Sequence, residues 1–273
     1  MVEEGTVRQV GFVRLIDAVP ELADGLSERD LAVARDSARA AVLAVSPGPW
    51  EPDTNFPGLL GYIVVSGFVL RTVTIAETPA CEVLGPGDLL RPHDDPTAFG
   101  LMPARASFSA IGRVRVAVLD KTFLPVLVRC PQLIDPLLSR AISRARSLAA
   151  LAAIGHMKRI DDRLVALFNH LASAHGNVRP EGIVIDIPLS HGQIGDIVGC
   201  ERPSVTTSLG RLKARGVVVR RPDRSWLLNS ESANLGAGSP RERAAELKDE
   251  SRALTAEAEQ AVRRSLAFAA SRP

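Results

Sequence analysis

Two short helices followed by a hairpin are predicted between Leu189 and Asn229, and this stretch constrains the fold more than any other. Ser190 is followed three residues later by Gln193, which is the capping-box pattern that begins a helix. The apolar residues of this first helix share one face: Ile194, Ile197 and Val198. Gly199 then ends the helix, because glycine adopts the left-handed backbone that follows many helices.

The second helix is predicted to begin at Glu201 or Arg202, to accept Pro203 in its first turn and to end at Gly216. Its buried stripe follows the helical period: Val205, Leu209 and Leu212. The opposite face carries mostly small residues: Pro203, Thr207, Gly210 and Ala214, flanked by Thr206 and Arg211. A narrow face of this kind can approach base edges in a major groove.

A basic hairpin follows the second helix, built from the residues VVV, the turn RRPDR and the residues SWLL. It carries Arg220, Arg221 and Arg224, and seven basic residues stand against three acidic ones between Leu189 and Asn229. Positive charge in this place suits contact with phosphates. The stretch therefore predicts a winged helix-turn-helix that binds double-stranded DNA. The alternative is a helical pair that only packs, with an arginine-rich turn in solvent.

The chain before this stretch predicts a separate, sheet-rich unit. Residues 7–40 show helical spacing broken by Pro20 and Gly25, which indicates short helices that lead into a sheet. From Ala40 to Asp120, short β-branched runs alternate with Gly and Pro, as is typical of a compact antiparallel roll. The fold class is therefore predicted as α+β.

A long helix is predicted after Pro131, with apolar residues at alternating steps of three and four. This seam consists of Ile134, Leu137, Ala141, Ala145, Leu148 and Ala152. Because the neighbouring positions are polar or basic, the single narrow stripe favours pairing with a second copy of the same helix. The alternative is one helix that lies on its own domain.

The segment QIGDIVGCERPSVTTSLGRLKARGVV resembles the helix-turn-helix of the Crp/Fnr family, the cyclic-AMP receptor and fumarate-nitrate regulators. Three further segments resemble family elements more weakly: GYIVVSGFVL and GPGDLL its β-roll, and CPQLIDPLLSRAISRARSLAAL its dimer helix. The resemblance implies an effector domain of the cyclic-nucleotide-binding type over residues 1–130 and a dimerisation helix over 131–157. A winged helix-turn-helix over 158–230 would follow, and residues 231–273 form a linker and a helical extension outside the resemblance.

The resemblance also implies roles for single residues. Arg202 stands where the family places a base-reading arginine, and Ser190 and His191 match positions that touch phosphate. Pro203 and Thr207 replace the Glu and Arg of many members, so the common half-site of the family is not expected. The candidate DNA-contacting residues are Ser190, His191, Arg202, Pro203, Ser204, Thr206, Thr207, Arg211, Arg220, Arg221 and Arg224.

The sensor pocket implied by the resemblance departs from the cyclic-nucleotide pattern. Arg91 and Pro92 stand where a Gly-Glu pair would hold the ribose, and Ala106 replaces the serine that follows the phosphate-binding arginine. Leu148 and Ala149 fall near the positions of the base-contacting hydroxyls. Cyclic AMP is therefore not expected. Another ligand could meet Arg91, His93 and Arg105 as anion partners, or the pocket could be empty.

No cofactor or metal is expected. Cys81, Cys130 and Cys200 are widely spaced and odd in number, so they encode neither a disulfide framework nor a metal knuckle. The absence of any cysteine before Cys81 argues against the N-terminal iron-sulfur cluster of some family members. His93 with Asp94 and Asp95 is better explained as a polar loop, because three adjacent residues converge poorly on one ion.

The sequence therefore predicts a DNA-binding transcription regulator that acts as a homodimer, with RNA polymerase as a further partner and a small-molecule effector left open. No GxSxG or HExxH motif is present, so an enzyme is not expected. No apolar run approaches the ~18 residues of a membrane helix, and the charged N-terminus favours a cytoplasmic protein. The alternative is a dimeric signalling or scaffold protein that binds a protein partner or a nucleotide other than cyclic AMP.

Overall fold

The computed structural model describes residues 7–91 and 104–229. It combines an N-terminal sheet unit with a C-terminal helix-turn-helix unit, as the sequence predicted. The strands of the first unit are β1 (Val7–Arg14), β2 (Arg39–Val45), β3 (Gly48–Trp50), β4 (Gly61–Ile75), β5 (Thr78–Leu84), β6 (Leu89–Leu90) and β7 (Ala104–Leu119). All pair antiparallel in the order β1-β2-β7-β4-β5, with β3 on β7 and β6 on β4.

The N-terminal stretch differs in part from the prediction. Residues 7–14 form the edge strand β1 rather than a helix, and the helices α1 (Leu15–Ala18) and α2 (Glu28–Ser37) follow it, separated by a 3-10 turn at Pro20–Ala23. The side chains of β1 are almost all exposed, so the strand carries no alternation of apolar and polar residues. Its hydrogen bonds to β2 hold it instead.

The long helix after Pro131 is confirmed. The short helix α3 (Leu124–Arg129) and a 3-10 turn (Pro131–Leu133) lead into α4 (Ile134–Gly155), which is 22 residues long. α4 packs against α5 (Ile160–His175), the first helix of the C-terminal unit. Within the described residues, no helix is both long and apolar enough to span a membrane.

The C-terminal unit contains the predicted helix pair and wing. It continues from α5 through β8 (Gly176–Arg179), β9 (Gly182–Ile185), α6 (His191–Val198), α7 (Arg202–Ala214), β10 (Val218–Arg220) and β11 (Trp226–Leu228). The strands form a four-stranded antiparallel sheet in the order β10-β11-β9-β8. The side chains of β8 are largely exposed, so its backbone pairing with β9 defines it. The predicted C-terminal helix lies outside the described residues.

One hydrophobic cluster joins the two units. Leu70, Cys81 and Ile111 of the roll are buried in the same cluster as Ile154 of α4 and the interior of the helix-turn-helix unit. α6 packs directly against β5. The helix pair is therefore fixed on the sheet unit as well as on its own wing.

Candidate nucleic-acid interface

α6 begins and ends as the sequence predicted. The Ser190 side chain accepts a hydrogen bond from the Gln193 backbone N–H at 3.2 Å, and the Gln193 side chain accepts one from the Ser190 backbone N–H at 2.9 Å. This is a complete capping box, so the first turn of α6 is fixed in place. Gly199 ends the helix with a left-handed backbone, at φ 67°.

Gly195 allows α6 to lie against the turn that leads to α7. A Cβ added at Gly195 would lie 2.4 Å from the carbonyl oxygen of Cys200, which is too close for any side chain. The Cys200 backbone N–H donates a hydrogen bond to the Gly195 carbonyl at 2.9 Å. This bond holds the turn after α6 against the helix. The separation of α6 and α7 therefore depends on the absence of a side chain at Gly195.

α7 presents the predicted outer face. Val205, Leu209 and Leu212 are buried against the rest of the unit, as their spacing indicated. The exposed residues lie on the opposite side: Arg202, Pro203, Thr206, Thr207, Gly210 and Ala214. Ser204 is half-buried at the edge of this face. The outer face is thus exposed to solvent, and at its edge Thr206 meets His191 of α6.

Arg211 has a role that the sequence did not reveal. Its guanidinium makes a two-point contact with Asp161 of α5, with Nε to Oδ2 at 3.1 Å and Nη2 to Oδ1 at 2.6 Å, and also donates to Ser208. The hydrogen bonds from Arg211 hold the pKa of Asp161 below its usual value, so the carboxylate stays charged. The structure ties Arg211 to α5, and its predicted DNA contact stays a prediction.

A second arginine fixes α6 from outside the helix pair. The Arg163 guanidinium of α5 donates to the carbonyl oxygens of Val198 and Gly199, at 3.1 and 3.2 Å, and to that of Met157 at 2.7 Å. The Val198 and Gly199 carbonyls lie at the C-terminal end of α6, where the positive charge of Arg163 also interacts favourably with the helix dipole. Sequence reasoning missed this contact, because the partners are 35 and 36 positions apart.

The three wing arginines differ in how firmly they are held. The Arg220 guanidinium lies over the Trp226 ring at 4.7 Å from the centroid and donates to the Leu189 carbonyl at 3.0 Å. Arg221 lies 3.7 Å from Glu181 and 3.9 Å from Asp223. Arg224 is exposed at the turn with φ 70°. Arg220 therefore supports the wing, while Arg224 projects from its tip.

His191 connects α6, α7 and the wing. Its Nδ1 lies 2.9 Å from the Thr206 hydroxyl, and its ring lies 6.3 Å from that of Trp226. Burial, followed by the charges of Arg220 and Arg202, lowers the pKa of His191. The imidazole is therefore neutral at physiological pH and can offer a hydrogen bond rather than a charge. Ser190, His191, Arg202 and Thr206 thus lie along one edge of the exposed surface.

Two of the three predicted effector residues, Arg91 and Arg105, lie within the described residues, near opposite ends of β4. Arg91 follows β6, whose Leu90 pairs with Tyr62 near the start of β4. Arg105 pairs with Thr74 near the other end of β4, a strand of 15 residues. His93, Pro92, Asp94 and Asp95 lie outside the described residues. Arg91 and Arg105 therefore do not face each other across a described cavity.

The exposed apolar face of α4 differs slightly from the predicted seam. Ile134, Ala141, Ala145, Leu148 and Ala152 are exposed as a paired helix would require, whereas Leu137 packs into the core of its own unit. Two large residues that the sequence analysis left out lie on the same face: Leu138 is 56% exposed and Ile142 is 44% exposed. The face is therefore broader than the strict seam, because it follows the 3.6-residue period.

The three cysteines are free thiols in the structure, and burial raises the pKa of each. Within residues 7–91 and 104–229, no three His, Cys, Asp or Glu side chains gather into a potential metal site.

The fold and the exposed face of α7 define the class of this protein: a DNA-binding transcription regulator of the winged helix-turn-helix type. Residues 162–232 match the Crp-like helix-turn-helix domain family. The chain carries a Crp-like helix-turn-helix domain on the fold of the Crp/Fnr family regulators.

Solved structures share this fold at low sequence identity. A mutant of CooA from Carboxydothermus hydrogenoformans is 18% identical, with a TM-score of 0.55, and the match covers 82% of this chain and 93% of that one. A cyclic nucleotide-binding domain containing protein from Listeria monocytogenes EGD-e is 14% identical, with a TM-score of 0.56, over 79% and 97% of the two chains. FixK2 from Bradyrhizobium japonicum is 17% identical, with a TM-score of 0.54, over 73% and 98%. No curated protein matches the sequence.

Proposed function

We propose that this chain is a sequence-specific transcription regulator that binds double-stranded DNA as a homodimer and is not controlled by cyclic AMP. The observation that carries the proposal is the exposed outer face of α7, with Arg202 at its first turn and Ser190 and His191 beside it. Helix-turn-helix proteins insert such a face into the major groove and use the neighbouring helix start and wing on phosphates.

The proposed base reader is Arg202. An arginine at the start of a recognition helix can make two hydrogen bonds to a guanine, which supports about 1–3 kcal/mol of discrimination between base pairs. Pro203 and Thr207 offer no comparable pair of donors, and the Thr207 hydroxyl donates to the Pro203 carbonyl at 3.1 Å. The half-site is therefore expected to differ from one that is read by Glu and Arg at these positions.

The proposed dimer pairs α4 with its copy. Four large apolar side chains of this helix are 40–56% exposed: Ile134, Leu138, Ile142 and Leu148. Exposed alanines accompany them at Ala141, Ala145 and Ala152, which lets a second helix approach closely. A second copy covers a stripe of this length with its own identical stripe, as a two-fold interface requires. The two recognition helices would then meet half-sites about one helical turn apart.

Independence from cyclic AMP rests on side-chain chemistry. Arg91 and Pro92 cannot supply the carboxylate expected for a ribose, and Ala106 has no hydroxyl for a phosphate. Leu148 and Ala149 on α4 have no hydroxyl for a base. We further propose that the regulator works in the cytoplasm and acts on RNA polymerase, as the control of transcription requires.

The test is the selection of bound sequences from a random duplex pool with the full chain, followed by titration of the selected duplex against a scrambled one. We expect affinity for the selected duplex to exceed that for the scrambled one by at least about 10³ at moderate salt. Equal, weak binding to both would refute the regulator and favour the scaffold alternative. Addition of cyclic AMP should leave both affinities unchanged.

Single substitutions sharpen this test. Arg202→Ala should weaken binding of the selected duplex by about 1–3 kcal/mol and relax the base preference, whereas Arg221→Ala should weaken all sequences alike. Arg113→Ala, which removes an exposed arginine of β7 far along the chain, serves as the control for loss of charge. Similar losses on selected and scrambled DNA for Arg202→Ala would exclude it as a base reader.

A further inference from the structure

A cavity of about 420 Å³ lies where the sheet unit, α4 and α5 meet. The turn after β5 forms one wall, α4 the second and α5 the third. Its volume falls in the range of about 300–1,000 Å³ that small-molecule sites occupy. Neither Arg91 nor Arg105 lines this cavity, so it is separate from these two residues, which the sequence suggested for an effector site.

Arginines dominate the charge of the cavity. Arg140, Arg144 and Arg146 of α4 line it, against the carboxylates of Glu82 and Asp88. Glu82 is already engaged, because its Oε1 meets Arg71 at 3.2 Å and its Oε2 meets Arg144 Nε at 3.1 Å. Asp88 accepts a hydrogen bond from the Gly85 backbone at 2.7 Å.

The two outer arginines are the freer ones. Arg140 approaches the half-exposed Glu21 at 3.6 Å, and its guanidinium rests on the turn at Gly87, where a Cβ would lie 2.9 Å from Nη1. Arg146 is exposed and makes no hydrogen bond or ion pair with the part of the chain that the structure describes. Both can therefore turn a guanidinium towards an anion without breaking a buried pair.

The remaining lining is neutral. The Ser147 hydroxyl lies 2.8 Å from His170 Nε2, and burial lowers the pKa of both His170 and His175, so these rings carry no charge at physiological pH. Apolar side chains complete the wall, among them Leu84, Leu151 and Leu171. The cavity thus combines cationic groups at one side with hydroxyl groups and an apolar surface.

We infer that this cavity binds a small organic anion, with its carboxylate or phosphate between Arg140 and Arg146 and its apolar body against the leucines. The ligand would touch the sheet unit and α5 together, so it would stabilise their present arrangement. Because the two binding equilibria are linked, the ligand changes the affinity for DNA if it binds this arrangement and the DNA-bound arrangement with different affinities. The size of the change equals the ratio of those two ligand affinities. Only this last step rests on the proposed function.

The binding test uses calorimetry on the full chain with two probes, phenyl phosphate and phenylacetate, which distinguish the two kinds of anion. Benzyl alcohol is the neutral control and inorganic phosphate the control without an apolar body. We expect saturable binding of at least one probe, with one site per chain and little binding of either control. No saturable binding of either probe below about 10 mM, which corresponds to roughly 3 kcal/mol, would overturn the proposal.

Variants locate the site. Arg140→Gln and Arg146→Gln should each weaken the probe about tenfold, which is the loss of one charge-assisted contact. Arg113→Gln should leave it unchanged, and Ser143→Phe, at an exposed lining position, should block it. Equal affinity in all four variants would place the probe elsewhere and overturn the assignment.

The coupling is measured with the selected duplex at saturating probe. We expect DNA affinity to change at least about fivefold, which is the lower end of typical couplings. Unchanged affinity would overturn the coupling. A chain that binds the probe but no duplex would instead refute the proposed function and retain the cavity as a ligand site.

Discussion

Replacing Gly195 with alanine tests the packing of α6 against the turn that leads to the recognition helix. The added methyl group would lie 2.4 Å from the Cys200 carbonyl oxygen, whereas ordinary contact begins near 3.4 Å. The turn would therefore have to retreat by about 1 Å, the difference between these two distances. The turn cannot retreat freely, because the Cys200 N–H donates a hydrogen bond to the Gly195 carbonyl and Val205 packs on the same side.

The energetic effect can be separated from helix propensity. Alanine is favoured over glycine within a helix by about 1 kcal/mol, so this gain accompanies any such substitution in α6. Gly192→Ala supplies a matched control, since its nearest neighbour would be the Ser190 hydroxyl at 3.9 Å. Overpacking costs about 1–3 kcal/mol, so Gly195→Ala should be less stable than Gly192→Ala by about that amount.

Urea unfolding followed by circular dichroism gives the difference in unfolding free energy, and titration of the selected duplex gives the effect on DNA binding. We expect Gly195→Ala to lose both stability and DNA affinity, while Gly192→Ala keeps the stability of the parent chain or exceeds it. Equal stability of the two variants would show that the turn yields without cost. The close approach at Gly195 would then not set the separation of α6 and α7.

Three further predictions address other parts of the molecule. Burial lowers the pKa of His175 to about 4 from 6.5, so the neutral histidine suits the folded chain. The contribution of neutral His175 to the free energy of unfolding is complete above pH 6.5 and is lost as pH falls towards 4. Between pH 7 and 5 this loss amounts to about 2 kcal/mol, and unfolding measured in His175→Gln should lack it, whereas an unchanged pH dependence would exclude His175 as the cause. Ala145→Glu at the centre of the exposed α4 face should dissociate the dimer in sedimentation, while Ser139→Glu beside that face should not; two dimeric variants would contradict pairing through α4. Asp161→Asn removes the carboxylate that anchors Arg211 on α5, so it should weaken binding of the selected duplex severalfold although Asp161 itself does not contact DNA. Unchanged affinity would show that Asp161 does not position Arg211 for DNA binding.

The helix pair could be predicted in detail because its signals are local. The capping box of Ser190 and Gln193 and the stop at Gly199 each lie within a few residues of the feature that they determine. The buried stripe of α7 needs only the helical period. The anchors of these helices could not be predicted in this way, because Asp161 and Arg163 reach them from 35 to 50 positions away.

Strands that bury side chains could be predicted from the sequence, whereas strands that expose nearly all of theirs could not. β1 and β8 expose nearly all of their side chains, so only backbone pairing identifies them. In the sequence, Gly112 interrupts the apolar pattern of β7. The glycine adopts φ 79° within one continuous strand, since it has no side chain to oppose that conformation.

The cavity beside α4 and α5 could not be predicted for a different reason. The sequence suggested an effector site from residues close together in the chain, at Arg91, His93 and Arg105. That site stays a prediction, whereas the described cavity is assembled from α4, α5 and the turn after β5, which no local pattern brings together. Its position depends on how the helix-turn-helix unit packs on the roll, which is a property of the whole fold.

The cluster that joins the two units also bears on how a signal could reach DNA. α6 places its capped start beside the recognition helix and buries Ile197 and Val198 in the cluster shared with Leu70 and Cys81 of the roll. The units on either side of the boundary predicted near residue 158 therefore share a hydrophobic cluster. A movement of the roll relative to α4 would act directly on the helix that supports α7. The element that holds α7 is therefore itself part of the interface between the two units.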